Sequence, residues 1–116
     1  MLADRLRIVG KIIKIFLNDT LWAWGLNSYG QLGDGTTTRR VSPTQIGTST
    51  WKAVAGGYYH SLGILSDDTL WAWGRNNYGQ LGDGTITNKS APTQIGTSTW
   101  KAVAGYYHSL GLMVEE

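Results

Sequence analysis

One segment of this chain is written twice. Residues 19–56 align with 68–105 without a gap, at an offset of 49, and 31 of those 38 positions are identical. Self-similarity at a fixed period means that one small supersecondary unit is stacked or arrayed on its copy, because a unit of this size cannot bury its own apolar surface. The differing pairs are Leu26/Arg75, Ser28/Asn77, Thr37/Ile86, Arg39/Asn88, Arg40/Lys89, Val41/Ser90 and Ser42/Ala91. Five of these seven fall in 37–42 against 86–91, which reads as a solvated loop. Past Gly56 the first copy carries an extra residue, Gly57, after which Tyr58 to Gly63 matches Tyr106 to Gly111. The chain divides into a basic segment 1–17, a first repeat 18–66 and a second repeat 67–116.

The unit reads as strands and tight turns. Sixteen Gly and six Trp against two Pro suit many reversals around aromatic strands. Thr20 to Trp24 alternates, with Leu21 and Ala23 on one face and Trp22 and Trp24 on the other. Both faces are apolar, so the strand is expected to be covered on both sides, not half-solvated. Gly25 to Thr36 is a glycine-studded loop closed by an Asp34-Gly35 turn. Pro43–Ile46, Trp51–Ala55 and His60–Leu65 are further strands, with the proline placed at an outer edge. One unit is therefore four strands, 51–55, 60–65, 69–73 and about 92–95. Four antiparallel strands in about 49 residues make a propeller blade. In the first segment, 11–17 fits a worn strand, since Ile13 and Ile15 fall where Leu62 and Ile64 fall one unit later. Residues 2–9 read as a short helix or a strand, with a lean towards helix.

The motifs Trp51-x-x-Val54-x-x-Gly57-x-x-His60-Ser61-Leu62 and Trp24-Gly25 with Asn27-x-x-Gly30-Gln31-Leu32-Gly33 recur in phase at Trp100 to Leu112 and at Trp73-Gly74, Asn76 and Gly79 to Gly82. This pattern resembles the regulator of chromosome condensation repeat over about 18–113. The resemblance implies an all-β fold of β-propeller blades, which that family usually builds seven to a ring. Two β-propeller-type blades of four antiparallel strands are incomplete as a single chain. The strand order suggests that one copy supplies what another lacks, and the expectation is a head-to-tail ring of three or four copies, a piece of a longer propeller, or a closed two-blade monomer. Ile13, Ile15, Trp22, Trp24, Trp71, Trp73, Leu110 and Leu112 are the candidate contacts between blades or subunits.

Catalytic and metal chemistry find little footing. His60 and His108 hold the same place in their units and read as hydrogen-bonding a turn inside their own blades. Ser61 and Ser109 abut them without an aspartate placed to orient an imidazole. Asp34 and Asp83 sit in Gly-Asp-Gly turns without further acids nearby, so a cation would lack ligands. Neither cysteine nor a phosphate-cradling Lys-Ser/Thr follows the glycine loop. No catalytic residue, metal ligand or cofactor is assigned. The net charge of +2 is uneven, with Arg5, Arg7, Lys11 and Lys14 against Asp4 at the start and a nearly neutral repeat body. That gives no electrostatic footprint for nucleic acid. No run reaches the roughly 20 apolar residues of a membrane span, and the start does not read as a signal peptide. Asn18-Asp19-Thr20 and Asn88-Lys89-Ser90 match the glycosylation pattern but carry no weight without a secretion signal.

The function expected is a non-enzymatic protein-interaction module, with the chain itself and another protein as partners. Specificity is expected in loops 26–42 and 75–91, where the copies differ, through Tyr29, Arg39, Arg40, Arg75, Tyr78 and Lys89. The alternatives are a lectin-like site with Tyr29 and Tyr78 stacked on a sugar, and guanine-nucleotide exchange on a small GTPase, which the resemblance alone implies.

Overall fold

The reversals written into the sequence join strands that pair antiparallel in the computed structural model of the chain. It describes residues 7–8, 11–105 and 108–113, without the side chains of Arg7, Ile8, Leu110 and Leu112. The elements are β1 (Arg7–Ile8), β2 (Lys11–Ile15), β3 (Thr20–Gly25), β4 (Arg40–Gly56), β5 (His60–Leu65), β6 (Thr69–Gly74), β7 (Lys89–Gly105) and β8 (Ser109–Met113). Each strand pairs with the next, so sheet order is chain order. Among the described residues there is no helix.

Identical sequence produces identical turns. Asp19 and Asp68 adopt φ of 66° and 72°, a left-handed conformation that aspartate tolerates better than most residues. The side chains of Asn18 and Asp67 accept hydrogen bonds from the backbone and hydroxyl of Thr20 and Thr69. The same threonine hydroxyls take the indole N–H of Trp22 and Trp71, at 2.9 and 2.8 Å. The turn thereby fixes the first indole of β3 and of β6.

The blades are built as the alternation predicts, with two differences. Pro43–Ile46 and Trp51–Ala55 were expected as separate strands, but β4 runs through both, and β7 does the same one unit later. Arg40 to Thr50 pairs with β3, and Trp51 to Gly56 pairs with β5. The handover needs no turn because bulges and Gly47 at φ 64° absorb the change of direction. Of the two readings of 2–9, helix or strand, the lean to helix is corrected at Arg7 and Ile8, which are extended and pair with Ile12 and Lys11. The remainder of that expectation lies outside the described residues. The first blade is thus β1, β2, β3 and the first part of β4. The second is the rest of β4 with β5, β6 and the start of β7. The end of β7 and β8 form the first pair of a third.

Packing runs from blade to blade. Ile13, Leu21, Ala23, Leu32 and Ile46 of the first blade form one core with Trp51 and Trp73 of the second, joined by Ile15 and Trp71 from its margin. Leu62, Ala72 and Leu81 of the second blade meet Val103 of the third pair. Trp51 and Trp73 cross edge to face at 5.5 Å between centroids, a favoured arrangement for indoles. Trp73 is fully enclosed, while Trp22, Trp24 and Trp71 are half-buried. Trp22 stacks on Phe16 at 5.2 Å.

Two glycines are fixed by this packing. A Cβ on Gly63 would lie 2.5 Å from Cζ3 of Trp51, and one on Gly111 would lie 2.7 Å from the Trp100 ring. The indole of each blade's first strand therefore rests on the bare backbone of its second. In β2 the register-equivalent residue is Lys14, so the bare backbone that receives the indole is missing from that strand.

Polar groups stitch the blades as well. The registers Lys11↔Gly25 and His60↔Gly74 make Lys11 the counterpart of His60. Each reaches into the following blade. The Lys11 amine donates to the carbonyl oxygens of His60 at 2.6 Å and Gly57 at 3.3 Å. His60 Nε2 meets Ser109 Oγ at 3.0 Å. The histidine was expected to bond within its own blade; its ring does rest on Gly57 of its own turn, but its hydrogen bond crosses the seam to Ser109. Ser61 Oγ reaches back to the Gln31 carbonyl at 2.7 Å, and Ser109 Oγ to that of Gln80.

Both cationic groups sit where charge is costly. Burial brings the Lys11 ammonium down to about 7, and burial followed by the Lys11 charge brings the His60 imidazole down to about 4. A lysine whose folded pKa lies below its unfolded value is more protonated in the unfolded chain over the interval between them. Stability therefore rises with pH from about 7 towards 10.5 and is lost as pH falls through that interval. Denaturant titrations at pH 7, 8 and 9 should show the wild-type free energy climbing by up to about 1.4 kcal/mol per pH unit relative to Lys11→Met; parallel curves would contradict a desolvated amine. Gly63→Ala should cost roughly 1–3 kcal/mol in the same measurement, through the clash with Trp51.

Candidate functional site

The loops that follow β3 and β6 are built around one asparagine each. Asn27 and Asn76 are buried. Their amide nitrogens donate to the backbone carbonyls of Thr36 and Thr38, or Thr85 and Thr87, all at 3.0 Å. The amide oxygens accept from the backbone N–H of Leu32 at 2.9 Å and Leu81 at 3.0 Å. Gln31 and Gln80 complete the device by accepting from the backbone of Tyr29 and Tyr78. One side chain thus satisfies groups nine to eleven residues away, and a fourteen-residue loop holds its shape without a strand or helix. The family motif contained these asparagines, but no local sequence rule reveals that they act as hubs.

Asp34 and Asp83 close the loops. Burial works to raise both carboxyls, but hydrogen bonds from the Thr36 or Thr85 hydroxyl and backbone outweigh it and hold them below the usual range. Arg40 pairs with Asp34 at 2.7 Å and Lys89 with Asp83 at 3.8 Å. Two of the six candidate binding residues are therefore engaged with their own loop. Arg39 is exposed on the same segment.

The remaining three converge. The Arg75 guanidinium carbon lies 4.7 Å from the ring centre of Tyr29, 5.6 Å from that of Tyr59 and 5.9 Å from that of Tyr78. Its Nε donates to Asn77 Oδ1 at 2.9 Å. Tyr29 packs edge-on against Tyr59 at 5.3 Å, and Tyr59 against Tyr58 at 5.8 Å. Tyr78 is 79% exposed. Sequence reasoning named Tyr29, Arg75 and Tyr78 separately and missed Tyr59. That residue comes from the β4–β5 turn, and the Arg75 backbone N–H donating to the Tyr59 carbonyl at 2.9 Å brings it alongside.

Of the candidate blade contacts, Ile13 and Trp73 are buried in the joint core, with Ile15 and Trp71 packed at its margin. Trp22 and Trp24 lie half-buried on the outer face of β3. The side chains of Leu110 and Leu112 are outside the described set.

The Ser–His pairs do not make a nucleophile. Ser109 spends its hydroxyl proton on the Gln80 carbonyl, so it accepts from His60 Nε2–H. The imidazole therefore presents a proton where a general base needs a lone pair. Among the described residues, no three His, Asp or Glu side chains gather as metal ligands. A cleft of about 360 Å³ between the blades is lined by Ile46, Trp51, Leu65 and Trp71 with Asp34 and Gln45 among its polar residues, and Asp34 is already committed to Arg40.

The loop hub can be tested on its own. Asn76→Ala removes the bonds to the Thr85 and Thr87 carbonyls and leaves the buried Leu81 N–H unpaired; the cost should be about 3 kcal/mol in equilibrium denaturation.

Comparison with known proteins agrees with this architecture. The family model of the regulator of chromosome condensation (RCC1) repeat matches residues 18–64 and 67–112, and a second model of the same repeat matches 51–80. The crystal structure of human WBSCR16 superposes with a TM-score of 0.80 at 21% identity, covering 91% of this chain and 29% of that one. Prp20p from Saccharomyces cerevisiae, studied for its binding to Gsp1p and histones, gives 0.80 at 17% identity, with 92% and 30% covered. Yeast RCC1 (Prp20) bound to Kap60 gives 0.76 at 22%, with 90% and 28% covered. The chain thus spans less than a third of the length of each of these structures. With two tandem matches along most of its length and blades that superpose on theirs, the chain belongs to the RCC1 repeat family and folds as β-propeller blades.

Proposed function

We propose that this chain is a non-enzymatic protein-interaction module whose working face is formed by loops 26–42 and 75–91 with the β4–β5 turn. The observation that carries this reading is the placement of Arg75 among Tyr29, Tyr59 and Tyr78. Tyrosine and arginine dominate the energetics of protein interfaces, because they offer large rigid contact area with polar ends. The hubs at Asn27 and Asn76 pre-order the loops that present them, which lowers the entropic cost of binding. The relatives support a protein partner in kind: Prp20p has been studied for its binding to Gsp1p and histones, and yeast RCC1 is bound to Kap60.

The body that carries this face is completed by further blades, from other copies of the chain or from a longer propeller. Half-buried Trp22 and Trp24 on the outer face of β3 support this. Their counterparts Trp71 and Trp73 are packed against the first blade. Burying such a face is worth more than the cost of ordering it when the partner is a matching blade. The glycan-binding alternative loses one of its two stacking platforms, since Arg75 covers a face of Tyr29. Nucleotide exchange draws on relatives of which this chain spans under a third, and nothing in the loop geometry favours it.

Two measurements test the proposal. Affinity capture with the immobilised chain should recover a protein partner that is lost with Tyr29→Ala/Tyr78→Ala at unchanged circular dichroism; equal capture by the variant would refute the assigned face. Mass measurement in solution at micromolar concentration should return a multiple of the chain mass if other copies complete the blades. A stable monomer would exclude completion by other copies and leave a piece of a longer propeller or a closed two-blade monomer.

A further inference from the structure

Resting on that reading, we infer that the partner meets this face with an acidic segment, a run of Asp or Glu side chains one of which pairs with the Arg75 guanidinium. The charges of the two loops point this way. Residues 26–42 and 75–91 contain Asp34 and Asp83 against Arg39, Arg40, Arg75 and Lys89. Both aspartate side chains are only 8% exposed and are held by Arg40 and Lys89. The charges this face offers to a partner are therefore Arg75 and Arg39, and among the described residues neither lies within ion-pair distance of a carboxylate.

Arg75 is also surplus to the fold. The register-equivalent residue of the first copy is Leu26, and that of Asn77 is Ser28, within a repeat otherwise the same at 31 of 38 positions. The first loop keeps its hub and its turn without an arginine or its asparagine prop. In the second loop Asn77 takes Nε and the three rings crowd the guanidinium. The rings exclude water from its flanks, which strengthens any ion pair made at its free edge, and the planar fork matches a carboxylate in two-point contact. Two unpaired cations are too few for a nucleic acid, whose binding grows with the number of phosphates neutralised along a basic stripe. A short carboxylate run against an aromatic–arginine anchor fits the same two charges.

The test uses fluorescence anisotropy with a labelled twelve-residue peptide of alternating Glu and Ser. Its Gln/Ser counterpart and a twelve-nucleotide single-stranded DNA serve as competing probes. The intact chain should bind the Glu peptide, lose affinity as salt rises, and leave the Gln peptide unbound. Arg75→Leu/Asn77→Ser writes the first copy's residues into the second, so the blade is expected to fold, and it should weaken the Glu peptide at least tenfold. Arg75→Lys keeps the charge without the fork and should fall between. Unchanged affinity in the double variant, equal binding of the Gln peptide, or DNA binding as tight as the Glu peptide would each overturn the inference. Failure of the Glu peptide to bind would overturn it too. If partner capture is then still abolished by Tyr29→Ala/Tyr78→Ala, the interaction face survives and only its acidic partner is lost; if capture is also unaffected, both readings fail.

Discussion

The structure depends on the way one blade lies against the next. Leu21 and Ala23 of β3 are closed off in one core with Trp51 and Trp73 of the second blade, and Trp51 approaches closely because Gly63 has no side chain. Apolar area removed from water is the main driving term in a fold this small. Here much of it is removed between blades and not within them. A single blade is a thin sheet with two greasy sides, so neither copy of the repeat makes sense alone.

That arrangement frees the loops from any part in the core. Their shape comes from Asn27 and Asn76, which answer the backbone groups of a fourteen-residue excursion from inside. Side chains on the outer surface of the excursion can therefore change without consequence for the blade. Leu26 in one copy and Arg75 in the other occupy equivalent places, and only the second is drawn into an aromatic cluster. Stability and recognition are thus assigned to different residues of the same loop.

Much of this was legible in the sequence, for a local reason. Strand alternation, Asp-Gly turns and the 49-residue period are short-range signals, and they placed β3, β5, β6 and the blade architecture. Contacts set by the pairing of distant strands were not legible. Lys11 reads as one more charge in a basic leader until the register with β3 places it opposite Gly25, beneath the second blade. Tyr59 belongs to a turn of its own until a single backbone bond from Arg75 carries it to the loop face. The handover within β4 was also hidden, since a proline at 43 and glycine at 47 look like breaks, yet bulges accommodate both.

The near identity of the copies creates an ambiguity that the molecule must resolve. Thr20–Gly25 and Thr69–Gly74 are the same six residues, so by composition alone either could stand beside β2 or β5. Lys11 distinguishes them. Its amine is satisfied by the carbonyls of His60 and Gly57, and Gly57 has no counterpart in the second copy. A buried polar contact of this kind serves as an address, discriminating between near-duplicate neighbours in the way that a single buried asparagine sets the register of a coiled coil. The inserted glycine and the lone amine give a direction to a molecule whose repeats would otherwise be interchangeable.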